Sequence, residues 1–217
     1  MNTLSKIGVR VCNKANGAGY VCLLDRLAFS FVIIDCTDVS ESIAILKKLP
    51  RDTNIIAHLD KRTVYSYFDK QKDIVASYAL LYDFVDAFLI SGYDELSDDI
   101  DQLINLRMYN DEYRPILMEI PDNMTLDELD NVLSYAKLSS IDGLSVSNGR
   151  LLKYAVGKSE GVLTIIADGV TNYDQAKASL DAGANLISVI TGRYPYISIF
   201  KGRRIIKKLR KSGVEDA

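Results

Sequence analysis

The chain has no tryptophan, one histidine, three cysteines and four prolines in 217 residues. A single histidine, His58, excludes the usual His-rich catalytic zinc site and allows a Ser-His-Asp triad only if His58 serves in it. Cys12, Cys22 and Cys36 form no CxxC pair and are odd in number, which suits buried thiols in a reducing compartment better than a disulfide framework. Basic excess is missing too: the formal net charge is -3, which argues against nucleic acid as the main partner. No stretch reaches the ~18 apolar residues of a spanning helix, and Met1 to Lys14 lacks the apolar run of a signal peptide. A cytoplasmic protein without a transmembrane segment is the expectation. With 48% apolar residues and 25% charged ones, the chain reads as a single domain over residues 1–217. That length buries a substantial core without metal or disulfide.

Eight short apolar runs recur along the chain. They are Ile7–Cys12, Phe31–Ile34, Asn54–Ala57, Ala87–Ile90, Pro115–Ile120, Gly143–Val146, Leu163–Ile166 and Leu186–Ile190. Most are nearly continuous in apolar residues, as strands covered on both faces must be. Helix signals lie between them. Ser97 precedes the stripe Ile100, Leu103, Ile104, Met108. Thr125 and Glu128 have capping-box spacing ahead of Leu126, Leu129, Val132, Leu133 and Ala136. Thr171 stands where an N-cap is needed, with Asp174 in the first turn, and Gly183 is placed to end that helix in a left-handed turn. Ser40 opens a further segment, which Pro50 closes. Strand–helix alternation eight times over is the pattern of a compact α/β fold, the (β/α)8 TIM barrel, with an open doubly wound sheet as the alternative.

In such a barrel the working groups lie at the C-terminal ends of the strands and in the loops that follow. This rule nominates Asn13, Lys14, Asn16, Gly17, Asp35, Cys36, Thr37, His58, Asp60, Lys61, Ser91, Tyr93, Asp94, Glu119, Ser147, Asn148, Arg150, Asp168, Gly169, Thr191, Gly192 and Arg193. The last two loops are the ones in which many barrels hold a phosphate on backbone N–H groups. Gly169 and Gly192 allow close approach, Thr191 adds a hydroxyl and Arg193 a guanidinium suited to phosphate. The bland alternative is that both glycines are only tight turns. Asp168 opposes the phosphate reading, because a carboxylate beside a phosphate repels it unless it turns away or pairs with a cation.

Several segments resemble dihydroorotate dehydrogenases. Ile165 to Ala176 and Asp181 to Gly192 look like that family's flavin-phosphate segment, and Asp142 to Asn148 resembles its sixth strand. Arg114 to Asp122 with Thr125 to Leu129 is similar to the fifth strand and its helix. Ile55 to Lys61, Val85 to Ile90, Lys14 to Gly17 and Phe29 to Val32 echo the earlier strands, so the likeness runs over nearly the whole chain. The resemblance implies FMN as cofactor, with Lys14, Gly169, Thr191 and Gly192 at flavin-contacting positions and Asn148 at a substrate-contacting one. Arg193 joins the cofactor group through the phosphate argument above.

Departures from the family pattern bear on activity. The stretch Ser91 to Leu96 stands where the family has its serine or cysteine base, without that base and without the motif's proline. Glu119 occupies the place of a flavin-contacting lysine, which exchanges a cation for an anion. Asp168-Gly169 replaces paired glycines. The leading expectation is therefore a barrel that binds a small phosphate-bearing ligand such as FMN, with flavin oxidoreductase chemistry altered from the family's. A degenerate, non-catalytic barrel binding a ligand or partner, a pseudoenzyme, is the alternative. A phosphosugar isomerase or lyase using Glu119 and His58 as acid and base is another. No catalytic residue and no metal site is assigned at this point.

Other candidates have bland readings beside their sharp ones. His58 is a general base or hydrogen-bonded packing. Glu119 and Asp168 form an acid/base or cation-binding pair, or never meet. Cys36 is a reactive thiol or a small buried group. The basic segment Lys201 to Lys211 is a solvated helix face, or one drawn to an anionic membrane surface or nucleic acid. Tyr65, Tyr67 and Phe68, or Tyr194 and Tyr196, are candidates for a homo-oligomer interface.

Overall fold

The structure, a computed structural model, describes residues 6–11, 29–48, 54–64, 73–91, 97–190 and 195–212. Eight parallel strands close into a barrel in sequence order: β1 (Ile7–Val11), β2 (Phe31–Asp35), β3 (Asn54–Asp60), β4 (Ala87–Ser91), β5 (Ile116–Ile120), β6 (Gly143–Val146), β7 (Thr164–Val170) and β8 (Leu186–Ile190), with β8 pairing back onto β1. The described helices are α1 (Val39–Leu46), α2 (Ile74–Leu81), α3 (Ser97–Met108), α4 (Leu126–Leu138), α5 (Gly149–Ser159), α6 (Tyr173–Asp181) and α7 (Pro195–Lys211). This is the (β/α)8 barrel that the strand–helix alternation predicts.

Two apolar cores follow from the period-two alternation of strand side chains. A large one packs the outward-facing residues, among them Val9, Val32, Ala57, Phe88, Met118 and Leu144, against the helices. A second, separate one fills the barrel interior with Phe31, Ile33, Ile56, Ala87, Leu89, Leu117 and Ile166. Glycine makes room in two places. A Cβ on Gly8 would stand 2.3 Å from the Phe31 ring, and one on Gly143 would stand 2.1 Å from the Thr164 carbonyl oxygen and 2.8 Å from Leu117 Cδ2. Phe31 is a ring that can tilt; the Thr164 carbonyl is sheet backbone and cannot yield without parting β6 from β7. Gly143→Ala is therefore expected to cost about 3 kcal/mol or more, at the upper end of overpacking penalties. Gly149→Ala, where a Cβ meets nothing within 4 Å, is the control. Urea unfolding of the two variants checks the contrast.

The odd and even strands are joined by a repeated device at the N-terminal face. The residue just before an even strand carries a side chain that accepts from the N–H at the start of the preceding odd strand. Asp86 accepts from Ile55 N at 2.7 Å, Asp142 from Ile116 N at 2.8 Å and Asn185 from Ile165 N at 2.7 Å. Each of these residues also donates its own N–H to the carbonyl of the same partner. A short polar side chain at this place satisfies strand-end donors that would otherwise be buried without a partner.

Helix starts agree with the sequence in one case and differ in two. Thr125 and Glu128 form the expected capping box on α4. On α1 the cap is Asp38, whose carboxylate accepts from Glu41 N at 3.0 Å, and Ser40 lies inside the first turn. On α6 the cap is Asn172, accepting from Gln175 N at 2.9 Å, while Thr171 donates through its N–H and hydroxyl to Gln175 Oε1. In both cases a carboxylate or amide side chain reaches the N3 amide, and the hydroxyl residue stands two positions away on α1 and one on α6. Gly183, at φ +97°, ends α6 as expected. Pro50 lies outside the described residues.

Strand β7 also differs. It runs past Ile166 to Val170, so Asp168 and Gly169 belong to the strand and not to the loop after it. Ala167 pairs with Ile187 and Val170 with Val189, three steps on β7 against two on β8. The extra residue is a bulge, and Gly169 takes the left-handed conformation it needs, at φ +71°.

Candidate active site at the barrel mouth

Above the apolar interior the same inward-facing positions turn polar. Arg10 on β1, Asp35 on β2, His58 on β3, Ser91 on β4, Glu119 on β5 and Asp168 on β7 converge at the C-terminal end of the barrel. Each lies an even number of residues beyond an interior residue of its own strand: Gly8, Ile33, Ile56, Leu89, Leu117 and Ile166. The β7 bulge marks the point where Asp168 is turned into this layer.

Arg10 is the hub. Its Nη1 donates to Glu119 Oε1 at 2.5 Å and to Asp168 Oδ2 at 2.6 Å, and its Nε donates to Asp35 Oδ1 at 3.2 Å. His58 is its neighbour. Nδ1 lies 2.6 Å from Asp35 Oδ1, and Nε2 lies 3.0 Å from both Glu119 Oε2 and Ser91 Oγ. Arg10 Nη2 is also 2.9 Å from His58 Nδ1, a contact that needs a lone pair on that nitrogen. The shorter approach to Asp35, with a second carboxylate at Nε2, favours the imidazolium with both N–H groups donating. Asp35 then accepts from both cations and offsets their repulsion.

Three carboxylates thus face one guanidinium and one imidazolium in a half-buried cluster. Burial by itself would raise the Glu119 pKa, but hydrogen bonds and charge from His58 and Arg10 outweigh it and hold the carboxyl at about 2. Burial would lower His58, and the bonds to Asp35 and Glu119 overcome it and raise the pKa. Arg10 likewise moves up against its burial. Stability follows with definite signs. The Glu119 contribution, on the order of 3 kcal/mol for a shift from 4.5 to about 2, is complete above the unfolded pKa and is lost as pH falls toward 2. The His58 contribution is complete below its unfolded pKa of about 6.5 and is lost as pH rises through the higher folded value. Urea midpoints measured from pH 3 to pH 9 are expected to peak between about pH 5 and pH 6.5. A midpoint that climbs steadily through pH 8 contradicts the paired imidazolium.

The site residues expected from sequence are distributed as follows. His58, Glu119, Asp168, Asp35 and Ser91 meet in the cluster. Glu119 and Asp168 form a pair bridged by the Arg10 guanidinium, which takes the place a cation between them would occupy. Among the described residues no group of three metal-ligating side chains is arranged to hold an ion. Asp60 lies just outside the cluster and pairs with Arg62, and Lys61 pairs with Asp99. Cys36 is buried, donates to the Ile34 carbonyl, and is pushed by burial to a pKa of about 12, so it is an inert thiol. Asn148 caps α5, accepting from Arg150 N and Leu151 N, and donates to the Asp122 carbonyl. Lys14, Thr191, Gly192 and Arg193 lie outside the described residues, as do Asn13, Asn16, Gly17, Tyr93 and Asp94. The aromatic candidates at positions 65 to 68 and at 194 also lie outside them, and the Tyr196 side chain is not described.

Gly169 decides how a flavin phosphate fits. Its N–H, expected to cradle that phosphate, donates to Asp168 Oδ1 at 2.8 Å, while Asp168 Oδ2 is held by Arg10. An anion reaching this amide would have to displace a buried carboxylate from both partners. Asn148 spends its side chain on the helix cap. Of the expected cofactor positions only Gly169 is among the described residues, and its amide is engaged by the Asp168 carboxylate.

Arg10 is the residue that sequence reading passes over. It stands in the run Ile7-Gly8-Val9-Arg10-Val11, which reads as an ordinary buried strand. The available signal was parity: Arg10 shares a face with Gly8, and a charge two places after a glycine in an otherwise apolar strand must point into the barrel. Ser145 and Ser188 were passed over for the same reason. Both are fully buried, and their hydroxyls have no hydrogen-bond partner among the described residues.

No family model matches the chain, and no curated protein matches it. Solved structures do. A dihydroorotate dehydrogenase from Eimeria tenella superposes with a TM-score of 0.73 at 15% identity, over 98% of this chain and 84% of that one. A deoxyribose phosphate aldolase from Aeropyrum pernix gives 0.70 at 12% identity, over 95% and 92%. An orotidine 5'-monophosphate decarboxylase from Sulfolobus solfataricus gives 0.66 at 14% identity, over 94% and 98%. A dehydrogenase, an aldolase and a decarboxylase share this frame, so the likeness establishes the TIM-barrel fold, and the chemistry rests on the residues at the mouth.

Proposed function

We propose that this protein is a proton-transfer enzyme acting on a small, phosphate-bearing hydroxy-carbonyl compound, in the manner of a phosphosugar isomerase or lyase. The observation that carries this reading is the cluster itself: His58 Nε2 stands 3.0 Å from Glu119 Oε2 at the mouth of the barrel. Glu119 and Asp35 are the most open members of the cluster, so they meet the ligand first.

The resting cluster is fully charged, and a carboxylate at about 2 is a weak base. A substrate carbonyl oxygen that accepts the His58 Nε2–H takes away one of the two cationic partners of Glu119. Its basicity then rises, while the imidazolium polarises the carbonyl and acidifies the adjacent C–H. Glu119 removes that proton, and His58 supports the charge that develops on oxygen. Schiff-base chemistry is disfavoured, because the described inward-facing strand positions carry no lysine. The inner layer holds more carboxylates than cations, so the substrate's phosphate belongs out at the loops after β7 and β8. There the expected Thr191, Gly192 and Arg193 would receive it.

This reading is preferred over a flavin oxidoreductase and over a non-catalytic barrel because acid, base and cation meet at one place. The test is solvent exchange. A panel of phosphorylated aldoses and ketoses is incubated with the protein in deuterium oxide and followed by proton NMR. Loss of the signal from the C–H beside a carbonyl is expected for at least one member. No exchange across the panel, or a yellow protein that retains flavin through purification, overturns the reading.

A further inference from the structure

Helices α5 and α6 make little direct contact where they cover β6 and β7. They meet toward the N-terminal face, where Val156 Cγ1 stands 2.8 Å from the place a Gly183 Cβ would take. Above that point a cavity of about 240 Å³ lies between them, outside the barrel wall. Small residues make the room: Gly149 on α5, and Ala178 and Ser179 on the facing side of α6 with Ala182 at its end. The floor is apolar, formed by Val146 on β6, Ala167 and Val170 on β7 and Leu152 on α5. Asp168 and Gly169 form its head, so the groove shares the β7 bulge with the mouth, where Asp168 holds Arg10.

The polar groups left over around this cavity are donors. Gln175 spends its Oε1 on the N–H and the hydroxyl of Thr171, at 2.9 and 2.8 Å, which leaves its amide NH2. That NH2, the Lys153 ammonium and the Ser179 hydroxyl have no hydrogen-bond or ion-pair partner among the described residues. The Asp168 carboxylate is taken on both sides, Oδ1 by Gly169 N and Oδ2 by Arg10. An occupant must therefore bring the acceptors. The first-turn amides of Arg150, Leu151 and Gln175 are capped by Asn148 and Asn172, so positive charge at the groove rests on Lys153, the one cation that lines it among the described residues. One ammonium and two neutral donors match a carboxylate and fall short of a phosphate dianion. A cavity of about 150 Å³ holds a benzene ring, so this one takes about ten non-hydrogen atoms. We propose that the α5–α6 groove binds a small organic monocarboxylate, its apolar body on Val146, Leu152 and Val170 and its carboxylate at Lys153, Gln175 and Ser179. The groove lies outside the barrel, so the proposal stands whether or not the proton-transfer reading holds.

Titration of the full chain with phenylacetate and with isocaproate, followed by methyl NMR, tests it. Saturable shifts of the Val146, Leu152, Val170 and Ala178 methyls are expected with at least one of the two. The matching neutral amide is expected to bind roughly tenfold more weakly or worse. Lys153→Met is expected to cost roughly tenfold in affinity, and Lys158→Met, on the same helix but outside the groove, to change nothing. Ala178→Leu, which fills the cavity from an exposed position, is expected to abolish binding with an unchanged melting temperature. No saturable shift with either carboxylate, or binding that the amide, Lys153→Met or Ala178→Leu leaves as strong, overturns the proposal.

Discussion

Arg10→Met is expected to destabilise the protein by about 3–5 kcal/mol at pH 7, the usual consequence of removing one partner from a buried ion cluster. Methionine keeps much of the length and apolar stem of the side chain, so packing changes little. What changes is charge. Glu119 and Asp168 meet at one guanidinium nitrogen, 2.5 and 2.6 Å from it, and Asp35 rests on Nε. Without Arg10, three carboxylates face a single imidazolium in a cluster where Asp168 is almost completely buried. Adding Asp168→Asn and Glu119→Gln to Arg10→Met is expected to recover more than half of the loss, because it removes the charges that Arg10 compensates. The defect of the single variant is also expected to shrink toward pH 4, where the freed carboxylates bind protons. Urea unfolding of the three proteins at two pH values measures all of this. A loss under about 1 kcal/mol for Arg10→Met sinks the view that Arg10 holds the mouth together.

Glu119→Gln is expected to lower the exchange rate of the proposed reaction by roughly 10²- to 10⁴-fold, the range of a positioned general base. Glutamine has nearly the same shape, and its Oε1 can still accept from Arg10, so the fold is retained. The carboxylate at His58 is lost, and the His58 pKa is expected to fall toward its ordinary value of about 6.5, which NMR titration of the single histidine reads directly. The two readouts separate the possibilities. A lower His58 pKa with full activity would mean that Glu119 only positions His58, and that another group takes the proton.

The fold was legible from particular residues. The eight apolar runs mark the eight strands to within a few residues, except where β7 continues through Asp168 and Gly169. That extension was hidden because a bulge has no periodic signature: an aspartate and a glycine after an apolar run read as a turn. The caps at Asp38 and Asn172 were each missed by one or two positions, because serine or threonine and aspartate or asparagine compete for the same role when they stand close together.

The sequence by itself determined that the chain alternates strand and helix eight times, which favours a closed barrel over an open sheet, and that His58, Glu119 and Asp168 stand at strand ends. Those are consequences of local pattern, of period two and period 3.6 in the apolar residues. Only the tertiary structure decided which charges meet. Arg10 and Glu119 are separated by 109 residues and Arg10 and Asp168 by 158, and nothing in their own segments points each to the other. Barrel closure brings β1 opposite β5 and beside β8, with β7 one strand further on. It makes one arginine, buried in an unremarkable strand, the counter-charge of three carboxylates.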